Sequence, residues 1–395
     1  MTSYDVVIVG GGVIGGSTAY HLAAGADFDG SVLVVEKDPS YEFASCARSN
    51  GSIRQQFSLP ENIAICLYGL EFYRNAHDWL AVDGEAFDLP FTERGYLFMA
   101  TEGRVAVMES NNALQRSMGG KAEIVWADDL PARFPWLNPE GLAGVSFGAE
   151  GEGWIDPYTL VRGYRRKARA LGVEYRDDEV TGLRVEGGRV TAVELASGVA
   201  VGCGAVVNAA GYHAGRVAAM AGIDLPVEPR KRYVYAFDCR ERIAPMPQCF
   251  TPNGVYVRAE TGGGYIAGVS PPLERDPPCW DYDVEYCLFE DVVWPELAHR
   301  FPAFEAIKLR NAWACHYDYN PLDENGIVDS HPEVRNFHFA NGFSGHGVQQ
   351  SPAAGRAVAE LICHGGFRTI DLSRLNYARI AKGEALREVE IVEAF

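Results

Sequence analysis

Residues 4–36 constrain the fold more than any other stretch. Tyr4-Asp5-Val6-Val7-Ile8-Val9 reads as a strand, and Gly10-Gly11-Gly12-Val13-Ile14-Gly15 follows at once. Residues 16–23 then read as a helix, and Ser31-Val32-Leu33-Val34-Val35-Glu36 as a second strand. Gly10, Gly12 and Gly15 fit the G-x-G-x-x-G dinucleotide fingerprint. The first glycine permits a tight turn, the second lets backbone approach a pyrophosphate, and the third lets helix pack on strand. The helix start presents free N–H groups to an anion. Glu36, 21 residues past Gly15, is placed to accept bonds from an adenosine ribose. Strand, glycines, helix, strand and acid in this order predict a dinucleotide site; a purely structural glycine turn is the alternative.

A chain of 395 residues can bury a large core, and two domains are expected rather than one. The formal charge of −18 argues against a nucleic-acid partner or an anionic membrane surface. The first strand begins beside Met1, so no leader is expected before it. Apolar runs such as 205–210 are too short to span a bilayer. The nine cysteines are scattered, odd in number and without a C-x-x-C pair. They read as buried thiols in a reducing compartment, which predicts a cytoplasmic location, and they lack zinc or iron–sulfur spacing.

Further along, 60–80 reads as a helix, 95–100 as a strand, 104–117 as a helix and 157–171 as a helix stopped by Gly172. Residues 183–185 and 190–195 read as a hairpin around Gly187-Gly188. The run 204–211 recovers the texture of a parallel sheet and ends in small residues. Residues 230–267 alternate, carry aromatics and read as three antiparallel strands. Residues 280–301 look partly helical, 307–320 like a strand at an edge, and 336–340 like a strand before a glycine-rich loop and a helix over 352–363. The expected fold is therefore an α/β Rossmann-like nucleotide domain, gathered from 1–85, 150–220 and 335–380. A second α+β domain on an antiparallel sheet takes 86–149 and 221–334, and 381–395 form a tail.

The fingerprint alone does not choose between NAD and FAD. Gly342-Phe343-Ser344-Gly345-His346-Gly347-Val348-Gln349-Gln350 precedes a helix whose Pro352 suits its first turn. Such a helix start stabilises negative charge on the pyrimidine of a reduced flavin. Here the chain resembles the D-amino-acid oxidase superfamily, in its glycine oxidase, sarcosine oxidase and dimethylglycine dehydrogenase branch. The blocks 51–63 and 342–352 also resemble a mitochondrial FAD-dependent oxidoreductase linked to complex I assembly. The resemblance implies FAD held in an extended form, with substrate between the ring and an antiparallel sheet. By position, it implies that Gly10, Gly12, Val13, Ile14, Gly15, Glu36 and Lys37 hold the ADP part. Ser45, Arg48 and Ser49 would lie beside the ribityl and pyrophosphate, and Val180 at adenine. Ala210 and Gly211 would lie near the pyrophosphate, and Gly345, His346, Gly347, Val348 and Gln349 around the flavin pyrimidine.

The resemblance further implies oxidation of the C–N bond of an amino acid or secondary amine, such as an N-substituted glycine, D-amino acid or imino acid. Hydride passes to flavin N5, the imine is hydrolysed, and oxygen, a quinone or an electron-transfer protein accepts the electrons. An FAD-containing assembly protein without ordinary amine turnover is the alternative. A substrate carboxylate calls for a guanidinium fork. Arg54, in R-Q-Q-F, matches the carboxylate-binding arginine of sarcosine oxidases. Tyr256 and Arg258 are one strand period apart and share a face on which the family places substrate contacts. His316, Tyr317 and Tyr319 are possible pocket walls. Where sarcosine oxidases carry a carboxylate-binding lysine this chain has Gln349, so larger amines or imino acids are expected over glycine and sarcosine. Cys315 sits where monomeric sarcosine oxidases attach flavin covalently, but its neighbours differ, and noncovalent FAD is expected.

Overall fold

Side-chain alternation in the N-terminal strands divides the nucleotide domain into two cores. In the computed structural model, which describes residues 1–243 and 245–392, the apolar runs of strands Ser3–Val9 and Val32–Glu36 are buried on both faces. Val6, Ile8, Val32 and Val34 enter one core with helices Val13–Ala24, Pro60–Trp79, Pro157–Ala170 and Gly347–His364. Val7, Val9, Leu33 and Val35 enter the other, with helix Ala214–Met220 and hairpin strands Val180–Glu186 and Arg189–Leu195. The sheet order is Val180–Glu186, Arg189–Leu195, Ala200–Asn208, Ser3–Val9, Val32–Glu36, Glu174–Asp177. Phe337–Asn341 adds in parallel to Ala200–Asn208, matching Val207 with His338. Small residues allow the fingerprint helix to approach the C-terminal helix closely: a Cβ on Gly355 would lie 2.3 Å from Ser17 Oγ.

The second sheet runs Ile307–Tyr319, Glu228–Cys239, Tyr265–Gly268, Tyr256–Ala259, Gln248–Phe250, Tyr96–Ala100, Gly144–Gly148, Glu123–Trp126. It is antiparallel except between Gln248–Phe250 and Tyr96–Ala100, which pair in parallel. A small third sheet joins Ser52–Ile53, Gly153–Ile155 and Phe91–Thr92 at the junction of the two.

Three boundaries differ from the sequence reading. Ile327–Ser330, expected in the second domain, pairs antiparallel with Phe337–Asn341 in the nucleotide sheet. The last long helix starts at Gly347, so Pro352 lies inside it rather than in its first turn. The proline removes one helical N–H, and the Val348 carbonyl takes the Tyr73 hydroxyl (2.7 Å) and the Ser351 hydroxyl (2.9 Å) instead. Residues 381–392 pack back on the body rather than trailing from it, and 393–395 lie outside the described residues.

Candidate active site

A long cleft opens where the parallel strands end, the place an α/β sheet offers a ligand. Its walls come from the fingerprint turn, the end of the second strand, the 43–49 loop, Val180, the 209–213 turn, and Cys315, Tyr317 and Gly345. Gly10 turns with φ +97°, and a Cβ there would lie 2.4 Å from the Ala209 carbonyl oxygen. A Cβ on Gly15 would come within 1.9 Å of the Gly10 carbonyl, so both glycines are demanded by the fold itself. Gly12 differs. Its φ is −64°, and a Cβ there would meet only Cys46 Sγ, at an ordinary 3.5 Å. The protein leaves this backbone bare toward the cleft. Ser45 also lines the cleft, and its buried hydroxyl has no hydrogen-bond partner among the described residues. A bare helix start and an orphaned hydroxyl facing one cleft fit the pyrophosphate and ribityl chain of a dinucleotide.

Glu36 ties the turn together: the Gly11 and Asp38 N–H groups donate to its two oxygens at 2.7 and 2.8 Å. Burial raises its pKa against those bonds. Lys37 donates to His213 Nε2 at 2.7 Å, and burial first, then Lys37 and Arg216, lower His213 to about 4, so its ring is neutral. Over the cleft, the Tyr212 and Tyr282 hydroxyls meet at 2.8 Å and both reach the Phe43 carbonyl.

Of the sequence-predicted cofactor residues, Gly10, Gly12, Val13, Ile14, Glu36, Lys37, Ser45, Ser49, Val180, Ala210, Gly211, Gly345, Gly347 and Val348 line this cleft. Gly15, Arg48, His346 and Gln349 are not among its walls. Arg48 instead binds the second sheet through the Ala314 carbonyl at 2.9 Å and stacks on Phe43 and Tyr282. Gln349 Oε1 accepts the Arg54 backbone N–H at 3.0 Å. His346 Nε2 accepts from the Arg54 guanidinium at 3.2 Å, and burial, reinforced by that cation, lowers its pKa to about 3.

Arg54 is buried, with its guanidinium 3.8 Å above the Phe57 ring. Its polar partners are the Gln56 carbonyl and neutral His346, and no carboxylate among the described residues lies within ion-pair distance. Arg258 contrasts with it. That guanidinium pairs with Glu260, donates to the Asn50 carbonyl at 2.8 Å and stacks on Trp154, so its charge is already matched. Tyr256 stacks on Phe250 and lies in the electrostatic neighbourhood of Tyr317 and Cys315. Cys315 and Tyr317 line the cleft, while the intervening His316 does not and packs against Tyr212 and Tyr282, as strand alternation requires.

Two buried carboxyls escaped the sequence reading. Glu152 accepts the Gln55 N–H (2.6 Å) and the Gln56 amide (2.7 Å), pinning the loop that carries Arg54; burial lifts it to about 7. Asp318 accepts the Phe343 N–H at 3.1 Å and fixes the glycine-rich loop; burial lifts it to about 6. Glu152 stands beside Glu150 in a glycine-rich stretch and Asp318 between two tyrosines, so neither is singled out by the sequence.

Fold, cleft and buried guanidinium together define a flavin-type oxidoreductase. The chain belongs to the DAO family, FAD dependent oxidoreductase, which it matches over residues 5–361. It is 44% identical to FAD-dependent oxidoreductase domain-containing protein 1 of Xenopus laevis, across 98% of this chain and 85% of that protein. Monomeric sarcosine oxidase of Bacillus sp. (strain B-0618) is 25% identical across 99% of this chain and all of that enzyme. Among solved structures, L-proline dehydrogenase from P. horikoshii superposes with a TM-score of 0.87 at 25% identity, covering 98% of this chain and 100% of that one. The protein is thus an FAD-dependent oxidoreductase related to amine and amino-acid oxidases. Among the described residues, no helix is long and apolar enough to cross a membrane.

Proposed function

We propose that the protein oxidises the C–N bond of a small amino acid or secondary amine whose carboxylate is bound by Arg54. The observation that carries this reading is a buried guanidinium lacking an anionic partner, because a buried charge calls for one. Phe57 shields one face of the guanidinium, and Gln349 and Glu152 fix the backbone on either side. The fork is thereby preorganised for a carboxylate. Bound noncovalently in the cleft, FAD supplies the acceptor for the hydride leaving the carbon beside the amine nitrogen. Gly12 and Ser45 suit its pyrophosphate and ribityl chain, and Tyr256 and Tyr317 suit the substrate side. His346, kept neutral, does not add a second positive charge beside the substrate, and no dedicated base is needed. The similarity to L-proline dehydrogenase and to sarcosine oxidase supports an imino acid or N-substituted glycine.

The test is a panel of D- and L-amino acids, imino acids and N-methyl amines added anaerobically to the FAD-loaded protein. Bleaching of the flavin band by at least one monocarboxylic amine is the expected result. Absence of bleaching across the panel would remove this reading and favour a flavoprotein acting through its partners.

A further inference from the structure

Residues 384–392 run back across the molecule as a strap over the pocket of Arg54. The Leu386 N–H donates to Asp323 at 3.0 Å, and the Asn325 amide to the Leu386 carbonyl at 2.6 Å. Glu388 accepts from the Ser58 N–H, the Ser58 hydroxyl and the Asn62 amide. The Val389 N–H returns a bond to Ser58 Oγ at 2.7 Å, and the Asn111 amide holds the Val389 carbonyl at 2.7 Å. Ile391 and Val392 are buried against Tyr96, Phe98, Ala100 and Met108. So many bonds to separate elements make the strap a built wall rather than a loose end.

Between these latches stands Glu390. It lines one small cavity with Arg54, Gln56, Phe57 and Phe98. Glu390 as a residue is exposed, and no described residue hydrogen-bonds or ion-pairs with its carboxylate. Desolvation of that carboxyl raises its pKa, Glu324 and Glu388 add to the rise, and the Arg54 and Arg104 cations draw it back down, so Glu390 and Arg54 share one electrostatic neighbourhood without touching. The cavity between them measures about 20 Å³, room for one water molecule, so a charge held there is felt directly by the other group.

We propose that the strap is a specificity-determining wall of the Arg54 site, and that Glu390 rejects substrates carrying a second carboxylate. The site then takes monocarboxylic amino or imino acids. This rests on the reading of Arg54 as the carboxylate-binding group.

Binding of inert analogues tests it without turnover. Methoxyacetate and oxydiacetate are ether analogues of a mono- and a dicarboxylic secondary amine, and each is titrated into the FAD-loaded protein by flavin difference spectra. Wild type should bind methoxyacetate the more tightly. Glu390→Gln should tighten oxydiacetate by roughly three- to tenfold relative to methoxyacetate, the scale of one partly screened charge. Glu390→Asp, which keeps the charge, should retain the wild-type preference. An unchanged ratio in Glu390→Gln, with an unchanged melting temperature, would overturn the proposal. A looser grip on both ligands would also overturn it, since Glu390 would then be supporting Arg54. Failure of wild type to bind either analogue would overturn it by removing Arg54 as a carboxylate site. The amine panel judges the oxidation reaction separately, because it reads bleaching and not affinity.

Discussion

The cleft and the Arg54 pocket are built in opposite ways. The cleft, about 230 Å³, is framed by glycine turns, strand ends and the starts of two helices, with side chains such as Ser45, Cys315 and Tyr317 completing its walls. The pocket, about 20 Å³, is made of side chains brought from residues 54, 98, 111 and 390. A backbone site is specified by a few glycines close in sequence. A side-chain site depends on which distant elements the fold brings together, and on how each charge is matched. Arg54 and Arg258 show the difference within one chemistry. Both are buried arginines, but Glu260 pairs with Arg258, whereas no carboxylate among the described residues lies within ion-pair distance of Arg54.

The largest expected effect breaks the pocket and spares the cleft. Arg54→Met should leave FAD content unchanged and lower kcat/KM for the active amine by roughly 2–5 kcal/mol, the scale of truncating one partner of a buried charge pair. Arg258→Met should cost stability at the Asn50 and Trp154 contacts without a comparable effect specific to the substrate carboxylate. Steady-state kinetics on flavin-matched samples checks both. Equal losses of kcat/KM in the two variants would erase the contrast between them.

The same contrast explains what the sequence made legible. Gly10, Gly12, Gly15 and Glu36 act through local geometry, so their spacing exposed the nucleotide fold and most of the cleft. The strands at 3–9, 32–36 and 200–208 were readable because burial on both faces demands continuous apolar runs. Gln349 was identified by position, but its amide serves the Arg54 backbone, a contact spanning 295 residues that spacing does not encode. Glu152, Asp318 and Glu390 stayed hidden for the same reason. An acid declares such a role only when the fold shows what it faces. Pro352 misled because proline is read as a boundary, whereas Tyr73 and Ser351 satisfy the carbonyl it leaves free.

A second experiment sharpens the comparison through pH. The Glu152 carboxyl beneath Arg54 titrates near 7 when folded and near 4.5 when unfolded. Its folded pKa is raised, so the native state holds the extra proton between those values. The stabilisation it contributes is full below about pH 4.5 and is lost as pH rises through 7. Compared with Glu152→Gln, wild type should therefore gain up to about 3 kcal/mol on going from pH 8 to pH 5. Melting curves of both proteins across that range read the difference, and parallel curves would show that Glu152 stays ionised.

The cleft has its own test, of somewhat smaller size. A valine at Gly12 meets little protein and projects where the pyrophosphate approaches. Overpacking of about 1–3 kcal/mol there corresponds to roughly five- to 150-fold weaker FAD binding. Gly12→Val should purify nearly colourless while the apoprotein melts close to wild type. Gly15→Val should instead lose stability outright, since its side chain would collide with the Gly10 carbonyl. Full flavin content in Gly12→Val, measured by absorbance ratio, would take Gly12 out of the cofactor site.

The smallest effect is expected at Cys315, where the cleft passes beneath the second sheet. Its thiol lines the cleft, so position alone would permit attachment to a bound flavin. Chemistry argues the other way. The nucleophile in thioether formation is the thiolate, and burial pushes this thiol up to about 11 despite the Arg232 and Arg48 charges that draw it down. At neutral pH the sulfur is therefore protonated and behaves as a small apolar wall. Acid precipitation of the holoprotein should leave a yellow supernatant over a colourless pellet, and Cys315→Ala should retain FAD with kcat/KM changed by less than roughly tenfold, the scale of a small packing defect. Flavin that stays with the polypeptide, and is released from Cys315→Ala, would show that the bound cofactor lowers the thiol pKa enough to react. The cleft would then hold FAD by a side chain as well as by backbone, and the contrast with the Arg54 pocket would weaken at this one position.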